Sequence, residues 1–154
     1  MTLLDTQGKP ITSQTAFPPL DILPPNQSLP ISIFFTPDIP IDAKPQVQIL
    51  TGIRLLPGDA RYLPATIENT LVQVDWSGFA AQVNGQVNLP ASSQPAQTVW
   101  VAAVAYDRAG NVAGVRRWDS PGGIAPGGSL PFAFAVASIA GRIERVDFVV
   151  EARP

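Results

Sequence analysis

A chain of 154 residues with ten basic and twelve acidic side chains, a net charge of −2 and no basic cluster offers no electrostatic footprint for nucleic acid or anionic lipid. With 45% apolar and only 14% charged residues it is too hydrophobic for a disordered chain, and seventeen prolines with twelve glycines in no fixed period indicate short strands joined by tight turns. Histidine and cysteine are absent, which removes Ser-His, Cys-His, His-metal and thiolate-metal chemistry as well as disulfides.

The first predicted element is a hairpin. Leu3-Leu4 leads into Asp5-Thr6-Gln7-Gly8, and Lys9 to Ser13 returns. Asp suits the first position of a type I turn, and Gly the fourth, where φ is often positive. Two alternating apolar runs follow, Ile31-Ser32-Ile33-Phe34-Phe35 and Val47-Gln48-Ile49-Leu50, both with strand periodicity. Pro57-Gly58-Asp59, flanked by Ile53 to Leu56 and Ala60 to Leu63, predicts a small hairpin or a packed linker that stops at Pro64.

Leu71 to Trp76 is the next predicted strand. Ala80 to Leu89 places Ala81, Val83, Gly85, Val87 and Leu89 on one face and Gln82, Asn84, Gln86 and Asn88 on the other. Asn84-Gly85 is also the strongest two-residue hairpin signal, but the alternation passes through it without a change of phase, which predicts one continuous strand. Thr98 to Tyr106 is apolar on both faces and reads as a central strand. It runs into Asp107-Arg108-Ala109-Gly110, a second Asp-x-x-Gly turn, with Val112 to Trp118 returning. Phe132 to Val136 and Val146 to Glu151 complete the set, the latter with Val146, Phe148 and Val150 inward and Asp147 and Glu151 outward. No stretch has helical periodicity with a cap, although Ser138 to Arg145 has room for one short turn.

These elements nearly repeat. Leu4-Asp5-Thr6-Gln7-Gly8-Lys9 corresponds to Tyr106-Asp107-Arg108-Ala109-Gly110-Asn111, and Leu23 to Ile31 to Ala125 to Phe132, in the same order and with a single one-residue gap. The expected fold is therefore all-β, an immunoglobulin-like β-sandwich: one full module plus a partial repeat of the same module. Residues 1–52 form the partial repeat with its front strands missing, 53–66 a linker or small hairpin, and 67–154 the complete module. A half module leaves apolar faces and an open sheet edge near Met1 to Ser13. Either it packs on the complete module or a neighbouring chain supplies strands by edge addition.

The second copy resembles the FxLYD domain, an immunoglobulin-like β-sandwich of bacterial and archaeal exported proteins. Its matching residues are Val83-Asn84-Gly85-Gln86-Val87-Asn88, Val104-Ala105-Tyr106-Asp107 at the naming motif, Gly110, and Pro126-Gly127-Gly128-Ser129 through Phe132. The resemblance covers residues 71–151, with a partial second copy at 1–51 where only Leu3-Leu4-Asp5 is kept. It departs from the family at Val104 and Ala105. The family implies no catalytic activity and no cofactor.

The residues themselves point away from chemistry. No two acids form a close pair on a plausible catalytic loop, and Pro121-Gly122-Gly123 and Pro126-Gly127-Gly128 lack the lysine and following helix of a phosphate loop. No catalytic, cofactor or metal residue is assigned. Asp5 and Asp107 read as turn caps, with Gly8 and Gly110 as their positive-φ partners. Asp38, Asp42 and Asp59 match no calcium loop in their spacing. Trp76 and Trp100 are expected in the core, and Trp118 beside Arg116 and Arg117 is the expected ligand or interaction surface. The leading expectation is a non-catalytic module of a cell-surface or exported protein, acting as spacer, scaffold or protein-interaction unit; the few lysines beside abundant Gln, Asn, Thr, Ser and Pro carry the location. The alternatives are a carbohydrate-binding module, with a glycan as partner, and a self-assembling subunit completed by a neighbour's strand. No apolar run approaches the ~18 residues of a membrane span, so membrane insertion of this segment is not expected.

Overall fold

A computed structural model describes residues 1–35, 39–56 and 58–154. The protein is all-β and β-sandwich-like, with no helix among the described residues. It divides into two compact units: residues 1–18 with 31–57, and residues 19–30 with 58–154. The segment 19–30, assigned by sequence to the partial repeat, thus belongs with the later strands.

In the first unit, β1 (Thr2–Leu4) lies between β2 (Pro10–Ser13) and β3 (Lys44–Gln46), antiparallel to both. The open edge expected near Met1 to Ser13 is correspondingly reduced, because β1 is paired on both sides and only the four-residue β2 is marginal. The predicted strands at Ile31 to Phe35 and Val47 to Leu50 do not form. Alternation specifies a face, but a strand also needs a partner ladder for its backbone. Neither run has one.

The second unit holds two three-stranded antiparallel sheets. One has the order β4 (Thr66–Val74), β5 (Ala80–Asn88), β8 (Ser129–Ala137); the other β7 (Val112–Asp119), β6 (Thr98–Tyr106), β9 (Arg145–Arg153). β5 runs unbroken through Asn84-Gly85, paired to β4 on one side and to β8 on the other. Gly85 is opposite Phe132, and a Cβ there would come within 2.6 Å of the Phe132 ring. The glycine serves close packing rather than a turn.

Between the sheets, Val83, Val87, Val99, Val101 and Val136 are fully buried. Phe132 is the hub, with ring centroids 6.0 Å from Trp118, 5.8 Å from Phe134 and 5.9 Å from Phe148. β4 begins earlier than predicted and stops at Val74, so Trp76 stands in the turn before β5 and not in a strand. Of residues 53–66, 58–65 reach the sandwich without forming a strand: Asp59 turns the chain, its carbonyl accepting from the Tyr62 N–H, and the Leu63 N–H donates to the Ala152 carbonyl at 2.9 Å. Pro57 lies outside the described residues.

The hairpins at Asp5 and Asp107 have the same geometry. In each, the Asp N–H bonds the carbonyl four residues on at 2.9 Å, the Gly N–H returns to the Asp carbonyl at 3.0 Å, and glycine sits at positive φ, +80° for Gly8 and +81° for Gly110. Even the register shift is shared, between Leu3 and Leu4 and between Ala105 and Tyr106. A third such turn, Asp75-Trp76-Ser77-Gly78, joins β4 to β5 with Gly78 at +80°. The left-handed conformation makes Gly110→Val more damaging than Ala109→Val by about 1–2 kcal/mol. Matched thermal melts of the two variants check this, and equal melting temperatures would remove the strain argument.

Candidate functional site

The pleat of β7 sets Arg117 on the face opposite to that of Arg116 and Trp118. Neighbours along a strand point to opposite faces. Trp118, opposite Val101, turns into the core against Phe132. Arg117 points to the other face, its guanidinium 4.7 Å from the centroid of the Trp100 ring, and its Nη1 donates to the Pro19 carbonyl at 3.4 Å. Arg116 is exposed. Arg116, Arg117 and Trp118 therefore do not make one ligand surface.

Trp76 corrects the opposite way: at 94% exposed it is the bare tryptophan, held on the Asp75 turn beside the half-exposed Phe79. Trp100 is neither bare nor inside the sandwich. It sits on the outer face of the β7-β6-β9 sheet, with the Arg153 guanidinium 4.6 Å from its centroid in addition to that of Arg117.

That outer face is where the polar side chains converge. Glu151, expected to face solvent, does point away from the sandwich core but is only 3% exposed. Its Oε2 accepts the N–H groups of Asp21 at 2.8 Å and Ile22 at 3.0 Å, and its Oε1 accepts from Arg153 Nε at 2.6 Å. Arg153 also pairs with the Asp21 carboxylate and lies 5.4 Å from the Tyr62 ring centroid. Burial works against the Arg153 charge, but the bonds to Asp21 and Glu151 outweigh it and raise its pKa above the ordinary guanidinium value. Leu20, fully buried, lies in the same strap, and the outward-facing Ala102 and Val104 of β6 are buried too. Residues 19–30 thus strap the outer face, which explains why β6 is apolar on both sides.

The turn aspartates are fully used. Asp107 Oδ1 accepts from the N–H groups of Ala109 at 2.9 Å and Asn111 at 2.8 Å, and Asp5 Oδ1 does the same with Gln7 and Lys9. The Asn111 side-chain bond, followed by these backbone bonds, holds the Asp107 carboxyl below its usual range. Ser77 and the turn amides do likewise for Asp75, and the Arg61 side chain brings Asp59 down to about 2. Each folded pKa lies below its unfolded value near 3.9, so the folded state binds fewer protons through the window. The stability these groups contribute is present above about pH 4 and is lost progressively as pH falls below it, for Asp59 toward about 2. Urea midpoints measured from pH 6 to pH 2 are expected to drop below about pH 4, and Asp107→Asn to flatten part of that fall.

Among the described residues no three acidic groups are placed to hold a metal ion. Asp42 and Asp59 take no part in a common cluster, and Asp38 lies outside the described residues. Among the described residues no helix is long and apolar enough to cross a membrane.

Fold and site together define an all-β, β-sandwich-like protein whose outer sheet face is tied down by a strap of its own chain. No family model matches the chain, and no curated protein and no solved structure is significantly similar to it.

Proposed function

We propose that this chain is a non-catalytic β-sandwich module of an exported or cell-surface protein, serving as spacer, scaffold or protein-interaction unit. The observation that carries the reading is the buried Glu151 carboxylate, spent on the strap N–H groups of Asp21 and Ile22. A buried charge whose oxygens are taken up by distant backbone fixes two parts of a chain in place. The Asp5, Asp75 and Asp107 carboxylates are committed to turns in the same manner. The resemblance to the FxLYD domain, which implies no catalysis, points the same way.

Native-state hydrogen exchange tests the reading. A rigid scaffold protects the Asp21 and Ile22 amides as strongly as those of β9. If they exchange orders of magnitude faster than β9, the strap is a lid over a binding face and the scaffold reading fails. Protease shaving of intact producing cells tests the location.

A carbohydrate-binding reading rests on a different residue from the one expected. Trp76 offers a bare ring on a turn braced by Asp75, and its carbonyl accepts from Arg142 Nη2 at 3.2 Å. Exposed aromatic rings stack on apolar sugar faces. Saturable quenching of tryptophan fluorescence by cello-, xylo- or chito-oligosaccharides, lost in Trp76→Ala, would support it. No saturable change with any of the three would remove it.

A further inference from the structure

The sandwich is unfinished along β9. Pairing with β6 uses alternate residues of β9, so Val146, Phe148, Val150 and Ala152 direct their backbone groups away from it. The Ala152 carbonyl is taken by Leu63. Among the described residues no protein group bonds the backbone of Val146, Phe148 or Val150 on this side. Their side chains point inward yet remain half-buried, whereas the valines of β5 and β6 that they face are sealed. A groove of about 580 Å³ runs beside them, walled by Asn26, Gln27 and Ser28 of the strap and by Ile67 and Thr70.

The other three edges of the two sheets each carry a guard. β4 is interrupted between Glu68 and Leu71, with Asn69 at φ +53°, β8 carries Pro131, and β7 is met at its start by the Ile139 N–H, which bonds the Ala113 carbonyl. Bulges and covering segments are the usual guards against edge pairing. β9 has no bulge and no proline over its nine residues.

We propose that this edge pairs with the β9 edge of a second copy of the chain, antiparallel about a two-fold axis at Phe148. The chain is its own complement there: Val146 faces Val150 of the second copy, Phe148 faces Phe148, and the three facing pairs supply about six backbone bonds. Charge and the free backbone groups together select the register. An axis at Asp147 sets that carboxylate opposite itself, and an axis at Val149 sets Asp147 opposite Glu151 and Arg145 opposite Arg153. The axis at Phe148 sets Asp147 opposite Val149 and Arg145 opposite Glu151, with no like charges facing, which matters because like charges directly opposite destabilise a strand pair. Axes at Val146 and Val150 also avoid like charges, but they pair Phe148 with Glu144, whose N–H is turned to Tyr106 before β9 begins, or with Ala152, whose carbonyl Leu63 already holds. The result is a closed dimer with a continuous six-stranded sheet. It stands apart from the scaffold reading, because a monomer would still be a scaffold.

Size exclusion with light scattering on the full chain, from about 1 to about 100 μM, is expected to show a monomer giving way to a dimer and nothing larger. Val149→Asp sets an acid opposite Asp147 and is expected to raise the dimer dissociation constant at least about tenfold. Adding Asp147→Lys to that variant places opposite charges across the axis and restores the dimer. Thermal melts in the monomer range show that both variants fold. A native chain that stays monomeric throughout, a series growing past the dimer, a Val149→Asp variant that dimerises as before, or a double variant that stays monomeric would each overturn the proposal.

Discussion

Gly114→Ala is expected to cost the sandwich about 3 kcal/mol or more, at the top of the range for overpacking, and to lower its melting temperature by roughly 10 °C. A Cβ at Gly114 would overlap the backbone carbonyl oxygen of Ala137, at the end of β8. No side-chain rotation relieves that contact, since both partners are main chain. Nor can either strand retreat: Gly114 is held opposite Ala105, and beside it the Ala113 carbonyl accepts the Ile139 N–H at 3.0 Å. This is where β7 and β8, from different sheets, come together, so displacing one opens the side of the core. Gly122→Ala is the control, because nothing lies within 4 Å of the position its Cβ would take. Its neighbour Gly123 repeats the test, since a Cβ there would overlap the Ala96 carbonyl oxygen. Thermal melts of the three variants are expected to separate Gly122 from the other two. A Gly114→Ala melt within about 2 °C of the native chain would contradict the packing described.

Glu151→Ala is expected to destabilise the second unit by about 3 kcal/mol, near the low end of the cost of breaking a buried ion pair. Four effects coincide. The N–H groups of Asp21 and Ile22 lose their acceptor, Arg153 keeps its charge with only Asp21 beside it, a cavity opens on the sheet, and the strap loses its anchor. The Arg153 side chain retains 31% exposure, so solvent softens its share of the loss and keeps the total below the full buried-pair penalty. Asp21→Ala is expected to cost no more than about 1 kcal/mol, because that side chain is over half exposed. Urea unfolding measures both. The Asp21 and Ile22 amides should lose exchange protection in Glu151→Ala before β9 does, and unchanged protection would show that the strap is held by Leu20 packing instead.

Much of the second unit was legible in the sequence because its signals were local. β5 followed from alternation, β6 from a run apolar on both faces, and the Asp107 turn, like that at Asp5 in the first unit, from the residues that such a turn requires. The same Asp-x-x-Gly pattern at Asp75 to Gly78 was equally available, and it would have put Trp76 in a turn rather than the core. Strand parity would have parted Trp118 from Arg117, since neighbours on a strand cannot share a face. What the sequence did not disclose are contacts whose partners are far apart. Ile31 to Phe35 and Val47 to Leu50 have strand periodicity as good as that of β8, but periodicity carries no information about whether a partner ladder exists. The strap is proline-rich and irregular, and its attachment runs through backbone N–H groups that no side-chain pattern advertises. Its one trace was the apolar outer face of β6, which needed a cover that the strands alone do not supply.

Asp21 and Glu151 lie 130 positions apart, and this separation governs the order of events during synthesis. A ribosome releases the strap long before β9, so the strap has no acceptor until the strand carrying Glu151 has emerged and joined β6. Closing so long a loop is slow compared with forming the turns at Asp75 and Asp107. In the interval the strap is a free segment next to exposed β-forming runs. Pro19, Pro24, Pro25 and Pro30 remove four backbone donors from it, which keeps it out of incorrect ladders. A segment made before every strand it packs on is therefore among the last to be seated.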